Sequence, residues 1–237
     1  MNPVYRPVGL AKGAVEALIE FVLPAHCASC GAPGSLICGD CRALMQPATG
    51  PRCRHCWLPS PVPVCRDCLS KPLAVRELRS GFVYDGPARA AVLTLKHGGV
   101  VGLAEELVRL SGEIQVAADI DLVVPIPIPL LRRRRRGGNQ AEHLGRAVAT
   151  QTGLELDPGA LRRNGWWGPR QAQATSRAER SRIVRGAFAA GTERVRGRGV
   201  LLVDDVSTSM ATLSEAARTL LAAGATVVDA WSATRAG

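Results

Sequence analysis

Apolar positions along this chain change their period from segment to segment, and the changes mark out elements. AVEALIEFVL, 14 to 23, carries Glu16 and Glu20 at helical spacing and predicts an amphipathic helix. GFVYDG, 81 to 86, predicts a short strand and turn, and ARAAVLTLKHGG (88 to 99) and VGLAEELVRL (101 to 110) predict helices broken at the glycine pair. DLVVPIPIP, 121 to 129, reads as a buried strand that ends among its prolines. NQAEHLGRAVATQTG, 139 to 153, predicts a helix with Asn139 near its start and Gly153 at its end. VLLV, 200 to 203, predicts a strand covered on both faces, followed by the helical pattern LSEAARTLLAAGA and a further strand, ATVVDAWSA. Strands alternating with helices predict an α/β fold with a parallel sheet and crossover connections. A basic, mobile loop passing into a short helix is expected over 164 to 182.

Before Lys71 the pattern is different, because it is set by cysteine. All eight cysteines fall in four CxxC knuckles: Cys27 and Cys30, Cys38 and Cys41, Cys53 and Cys56, Cys65 and Cys68. Two thiolates at this spacing grip one tetrahedral metal ion from the same side, so two knuckles complete a four-sulfur site and two structural zinc ions are implied. The simplest connectivity joins neighbouring knuckles, with a crossed arrangement left open. A disulfide framework fits poorly with the absence of a signal-peptide pattern, and no apolar run approaches a membrane span. A cytoplasmic protein is expected, with a metal-held module over residues 1–72 and an α/β domain over 73–237.

The formal charge is +10 and rests on arginine, Lys12, Lys71 and Lys96 being the only lysines. That balance favours polyanionic partners, either nucleic acid or a polyphosphate ligand. The densest positive segment is LLRRRRRGGNQ, 130 to 140, read as an exposed sheet-to-helix loop that needs water or phosphate around it. Loops that leave the carboxyl ends of parallel strands are where ligands gather in such sheets.

The other such loop follows VLLVDD. Asp204 and Asp205 stand at the strand end, then come Ser207, Thr208, Ser209, Met210, Ala211 and Thr212, then a helix. A helix start offers unpaired N–H groups and partial positive charge to an anion, hydroxyls add donors, and carboxylates set back along the strand accept from sugar hydroxyls. The layout suits a ribose 5-phosphate. Met210 sits where close approach of backbone to phosphate favours glycine, so weakened phosphate affinity is expected.

These pieces together resemble the ComF family. They are the knuckles, Tyr84 with Gly86 and Pro87, Leu95 with Lys96 and Gly99, Pro125 and Pro127, Arg132, Arg136, Gly137, Asn139 and Gln140, SRAER, RGAF, and VLLVDD with Thr212. The resemblance implies a type I phosphoribosyltransferase-like parallel sheet flanked by helices, joined to a small amino-terminal zinc module. It implies binding of phosphoribosyl diphosphate with magnesium: Asp204 and Asp205 on the ribose hydroxyls, residues 208 to 212 around the 5′-phosphate, Pro127, Arg132 and Arg136 on the diphosphate loop, and Arg177 and Arg180 in a region that closes over substrate. The implied reaction is phosphoribosyl transfer to a nitrogen acceptor. Where this family usually has glycine the chain has Met210, and where it usually has an apolar residue the chain has Ser207. The alternative is a protein of this fold that binds single-stranded DNA without catalysis, through Arg132 to Arg136, the basic stretch from Arg162 to Arg185, and stacking by Trp166 and Trp167.

Overall fold

The computed structural model describes residues 25–98, 102–164 and 184–237. The helix expected over 14–23, and Trp166, Trp167, Arg177 and Arg180, lie outside the described residues.

Five parallel strands form one sheet in the order β1-β7-β6-β2-β3: β1 (Leu78–Val83), β2 (Leu122–Pro125), β3 (Glu155–Leu156), β6 (Gly199–Ser207) and β7 (Val227–Arg235). β6 and β7 are central and almost wholly buried, which accounts for the apolar run that opens β6, while β7 also buries Asp229, Ser232, Thr234 and Arg235. A separate antiparallel pair, β4 (Leu161–Arg163) and β5 (Phe188–Ala190), stands beside the sheet, and the one-turn helix α7 (Thr192–Val195) leads from it to β6. Neither member of that pair is apparent from the sequence, because three-residue strands carry too short a period.

Alternation along β6 sorts the interior into two cores. Leu201 and Val203 point to one face, where α3 (Gly86–Gly98), α4 (Gly102–Leu110) and α6 (Gln140–Thr152) pack through Val92, Leu95, Leu103, Leu107, Leu144 and Val148. Val200 and Leu202 point to the other, against α8 (Ala211–Ala222) and its Leu213, Ala216, Ala217 and Leu220. Each leucine buried this fully contributes about 1.5–3 kcal/mol of transfer free energy.

The cysteine module is split between these faces. Cys27, Ile37, Cys41 and Met45 belong to the first core, while Cys53, Cys56 and Cys68 belong to the second. Short helices α1 (Gly39–Ala43) and α2 (Arg66–Ser70) start within the second knuckle of each half, with Cys38 and Cys65 just before them and Cys41 and Cys68 inside them. At the amino-terminal edge of the sheet, Arg76 bridges Asp119 at 2.7 Å and Asp229 at 2.5 Å, tying β1 and β7 to the turn before β2.

Candidate ligand cleft and zinc ribbons

The four knuckles pair as neighbours, Cys27, Cys30, Cys38 and Cys41 in one cluster and Cys53, Cys56, Cys65 and Cys68 in the other, with all sulfurs of a cluster within 4.8 Å of one another. Zinc–sulfur bonds of about 2.3 Å in a tetrahedron separate sulfurs by roughly 3.8 Å. Cys30 Sγ and Cys38 Sγ lie 3.6 Å apart, and Cys56 Sγ and Cys65 Sγ 3.8 Å, so both clusters fit zinc with no position open to water.

The two clusters are copies of one design. The Cys27 and Cys53 amides donate to Ala32 O (2.8 Å) and Leu58 O (2.9 Å), and the Cys38 and Cys65 amides donate to Cys27 Sγ (3.4 Å) and Cys53 Sγ (3.3 Å). Each first knuckle turns through a positive φ, +78° at Gly31 and +58° at Trp57. Trp57 is held there by its indole N–H, which donates to Ala48 O at 2.9 Å. Burial pushes the Cys53 thiol up, but backbone N–H groups of Cys65 and Cys56 outweigh it and bring it down to about 6; Cys27 is lowered to about 6 likewise by Cys30 and Cys38. In each cluster one thiol is thus favoured as the thiolate that a metal needs, while burial and the neighbouring cysteines push Cys41 and Cys68 up.

At the carboxyl ends of β2 and β6 lies a cleft of about 600 Å³, walled by the loop after β2, the turn after β6, α3 and β4. Asp204, Asp205, Thr208, Ser209, Met210, Ala211, Thr212, Pro127, Arg132 and Arg136 all line it, so every described residue assigned from the sequence to the phosphorylated sugar faces one space.

The arginine run departs from expectation. It is a helix, α5 (Leu130–Arg136), and not a loop, closed by Gly137 at φ +69°. Leucine and arginine are good helix formers, and a left-handed glycine stops the helix before self-repulsion accumulates further. Helical spacing divides the charges: Arg132 and Arg136, one turn apart, face the cleft, whereas Arg133 and Arg134 line a separate groove with Asn139 and His143. Arg135 is exposed and lines neither.

The turn after β6 departs in two ways. β6 runs on through Ser207, whose hydroxyl faces inward, 3.0 Å from Ser232 Oγ and 3.4 Å from Ser80 Oγ, in a buried cluster. Its hydroxyl is therefore no donor to a ligand. Met210 adopts φ +63°, ψ −1°, the left-handed geometry a glycine would favour, and is only 3 % exposed. Its side chain packs into the second core and does not fill the turn. The cost of that backbone, about 1–2 kcal/mol, is offset by side-chain burial, and α8 starts at Ala211, its first residues Ala211, Thr212 and Leu213 lining the cleft.

Three cleft residues had no assigned role in the sugar site. Lys96 Nζ lies 3.0 Å from Asp205 Oδ1, both side chains largely buried. Tyr84 lines the wall beside it. Arg163, read only as part of a basic stretch, projects from β4, stacks 5.2 Å over Phe188, and keeps Nε buried without a partner among the described residues. Lys96 and Tyr84 had a signal as family-like positions, Lys96 also as one of three lysines in the chain; Arg163 had none of its own. Burial, and next the negative charge of Asp205, push the Asp204 carboxyl up to about 7 against the opposing Asp205 amide, Lys96 and Arg163. Burial, then Arg132, lowers the Arg163 guanidinium. The cleft thus has an acidic floor, a basic wall and a helix start at one end.

A model of the double zinc ribbon domain matches residues 18–71. The DNA utilization protein YhgH of Salmonella typhi is 32% identical over 227 residues, covering 88% of this chain and 96% of that protein. The chain belongs to the ComF family. Competence protein ComFC of Bacillus subtilis is 28% identical over 202 residues, covering 81% of this ComF-family chain and 80% of its own. Among solved structures, a Bacillus subtilis glutamine phosphoribosylpyrophosphate amidotransferase is 22% identical with a TM-score of 0.37, over 65% of this chain and 29% of that one. No helix among the described residues is long and apolar enough to cross a membrane.

Proposed function

We propose that this ComF protein binds phosphoribosyl diphosphate, with magnesium, in the cleft at the carboxyl ends of β2 and β6. One observation carries the reading: a paired-acid floor, a helix-start turn and a two-arginine wall converge on a single space large enough for the ligand. In this reading Asp204 and Asp205 accept from the ribose hydroxyls. The 5′-phosphate takes the amides of the 208–212 turn, with the Thr208 and Ser209 hydroxyls beside it. Arg132 and Arg136 hold the diphosphate. Asp204 and Asp205 are the cleft carboxylates that would help hold magnesium, which would spread the charge of the leaving group.

The reaction that fits is attack by a nitrogen on the anomeric carbon as the bond to diphosphate oxygen breaks, the electron pair leaving with diphosphate. Positive charge develops on the sugar, so orientation and stabilisation of the departing anion supply most of the effect, and no strong base is required. Calorimetric titration with phosphoribosyl diphosphate and magnesium is the test. Micromolar binding in the wild type, lost in Asp204→Asn/Asp205→Asn, supports the reading; equal binding in that variant overturns it.

A second reading, single-stranded DNA binding in the cytoplasm, is favoured by the division of α5. Arg133 and Arg134 face a groove of about 560 Å³ away from the cleft, and the relatives' names concern DNA utilization and competence. Anisotropy of a labelled oligonucleotide tests it. Affinity that falls steeply with salt, and a shallower salt slope in Arg133→Ala/Arg134→Ala, are the expected results.

A further inference from the structure

Arg235, at the end of β7, is 4 % exposed, and a guanidinium so buried needs partners of its own. It spends them on two distant pieces of chain. Nε donates to the carbonyl oxygen of Cys56 at 2.5 Å, and Nη1 donates to the carbonyl oxygen of Ser207 at 2.9 Å, with Ala236 O as a further acceptor. Cys56 is a ligand of the second zinc cluster, and Ser207 is the residue from which the cleft turn departs. The turn is fixed to the same body a second time. Met210 packs in the core that holds Cys53, Cys56 and Cys68. On the strand itself, Ala236 N donates to Ser207 O at 3.0 Å, and the Ser207 hydroxyl is anchored on Ser232. Among the described residues the first zinc cluster makes no hydrogen bond to Ser207; its cysteines pack in the core on the opposite face, which meets the turn only through the side of Val206.

We propose that Arg235 is a positioning residue through which the second zinc ribbon, and not the first, holds the cleft turn in its binding geometry. The metal fixes the peptide of Cys56, Arg235 carries that position to Ser207, and Met210 keeps the left-handed corner seated. Zinc in the second cluster and ligand in the cleft therefore favour each other, by equal factors in the two directions. The ligand half of this inference rests on the reading given above; the mechanical half does not.

The test uses the full zinc-loaded chain and three variants: Arg235→Lys, which keeps the charge but loses the fork, Cys65→Ser in the second cluster, and Cys30→Ser in the first. Deuterium exchange of amides 206–213, zinc content by a colorimetric chelator, and calorimetry with phosphoribosyl diphosphate and magnesium are measured together. Expected for Arg235→Lys are two zinc ions per chain, turn amides exchanging about tenfold faster, and ligand bound about tenfold more weakly. Cys65→Ser loosens the same amides and Cys30→Ser leaves them at wild-type rates, a contrast that still decides the matter if Arg235→Lys does not fold. Wild-type exchange in Arg235→Lys, or equal loosening by both cysteine variants, overturns the inference. If the wild type binds no phosphoribosyl diphosphate, the ligand reading fails by itself and exchange alone decides the coupling.

Discussion

Two side chains in one cleft are asked to keep the same charge at close quarters, and the fold favours ionising only one of them. Asp205 is paired with Lys96, while Asp204 is raised to about 7 by burial and by Asp205. A raised carboxyl is disfavoured as an anion in the folded state, so above pH 7 Asp204 costs stability, and that cost fades as pH falls toward the unfolded value. Asp204→Asn is expected to raise the unfolding midpoint by roughly 2–4 °C per kcal/mol relieved at pH 8, and by far less at pH 4. In the proposed site ribose hydroxyls would donate to the anion, so ligand affinity should fall as pH drops below 7, by up to about tenfold per unit, as calorimetry at pH 6 and 8 would read. Met210 sets a different balance. Met210→Gly relieves about 1 kcal/mol of left-handed backbone and loses packing of roughly 2–5 kcal/mol, so a net loss of stability is expected in denaturant titration, with phosphate affinity maintained or improved. The left-handed corner was legible from the position of Met210 before a helix. The inward direction of its side chain, and of the Ser207 hydroxyl, was not, because both are set by β1, β7 and the second ribbon, far away in sequence.

Among elements, α5 changes the meaning of its own sequence. Five consecutive arginines read as one block of charge, yet a helix gives each about 100° of rotation and so different neighbours. Arg132→Ala/Arg136→Ala should weaken phosphoribosyl diphosphate by about tenfold or more per lost charge-assisted hydrogen bond, whereas Arg133→Ala/Arg134→Ala should leave it within about twofold. Calorimetry of both pairs side by side checks this. The charge was readable in the sequence; the helix was not, because self-repulsion argued for a loop and the stop signal at Gly137 serves a loop equally well. β2, α6 and β6 were readable because each carries a long, regular apolar period ended by proline, by Gly153 or by the acid pair.

At the scale of the molecule, the pairing of cysteines was legible as short loops, but the placing of the two ribbons on opposite faces was not. It depends on which core each half completes. Chelation is expected to do more than unfold a small module: loss of metal opens both cores, so the cooperative transition of the whole chain should shift to lower temperature in calorimetric scans. Sheet order is hidden for the same reason. β1 is held on one side by the cysteine module, where Val83 N donates to Gln46 O, Ala48 N to Gly81 O and Leu78 N to Arg54 O, and it enters the sheet through β7, with Leu78 opposite Ala230 and Val83 opposite Arg235. That pairing sets the order of events during synthesis. The cysteine module, β1 and α3 leave the ribosome with their thiolates, Phe82 and Leu95 in search of partners that are still to be made, and β1, though bonded to the module, has no sheet to join until β7 has been translated. For that interval zinc is the chief protection the early half of the chain has against aggregation and oxidation, so the supply of metal during translation should govern yield more strongly than it governs the finished protein.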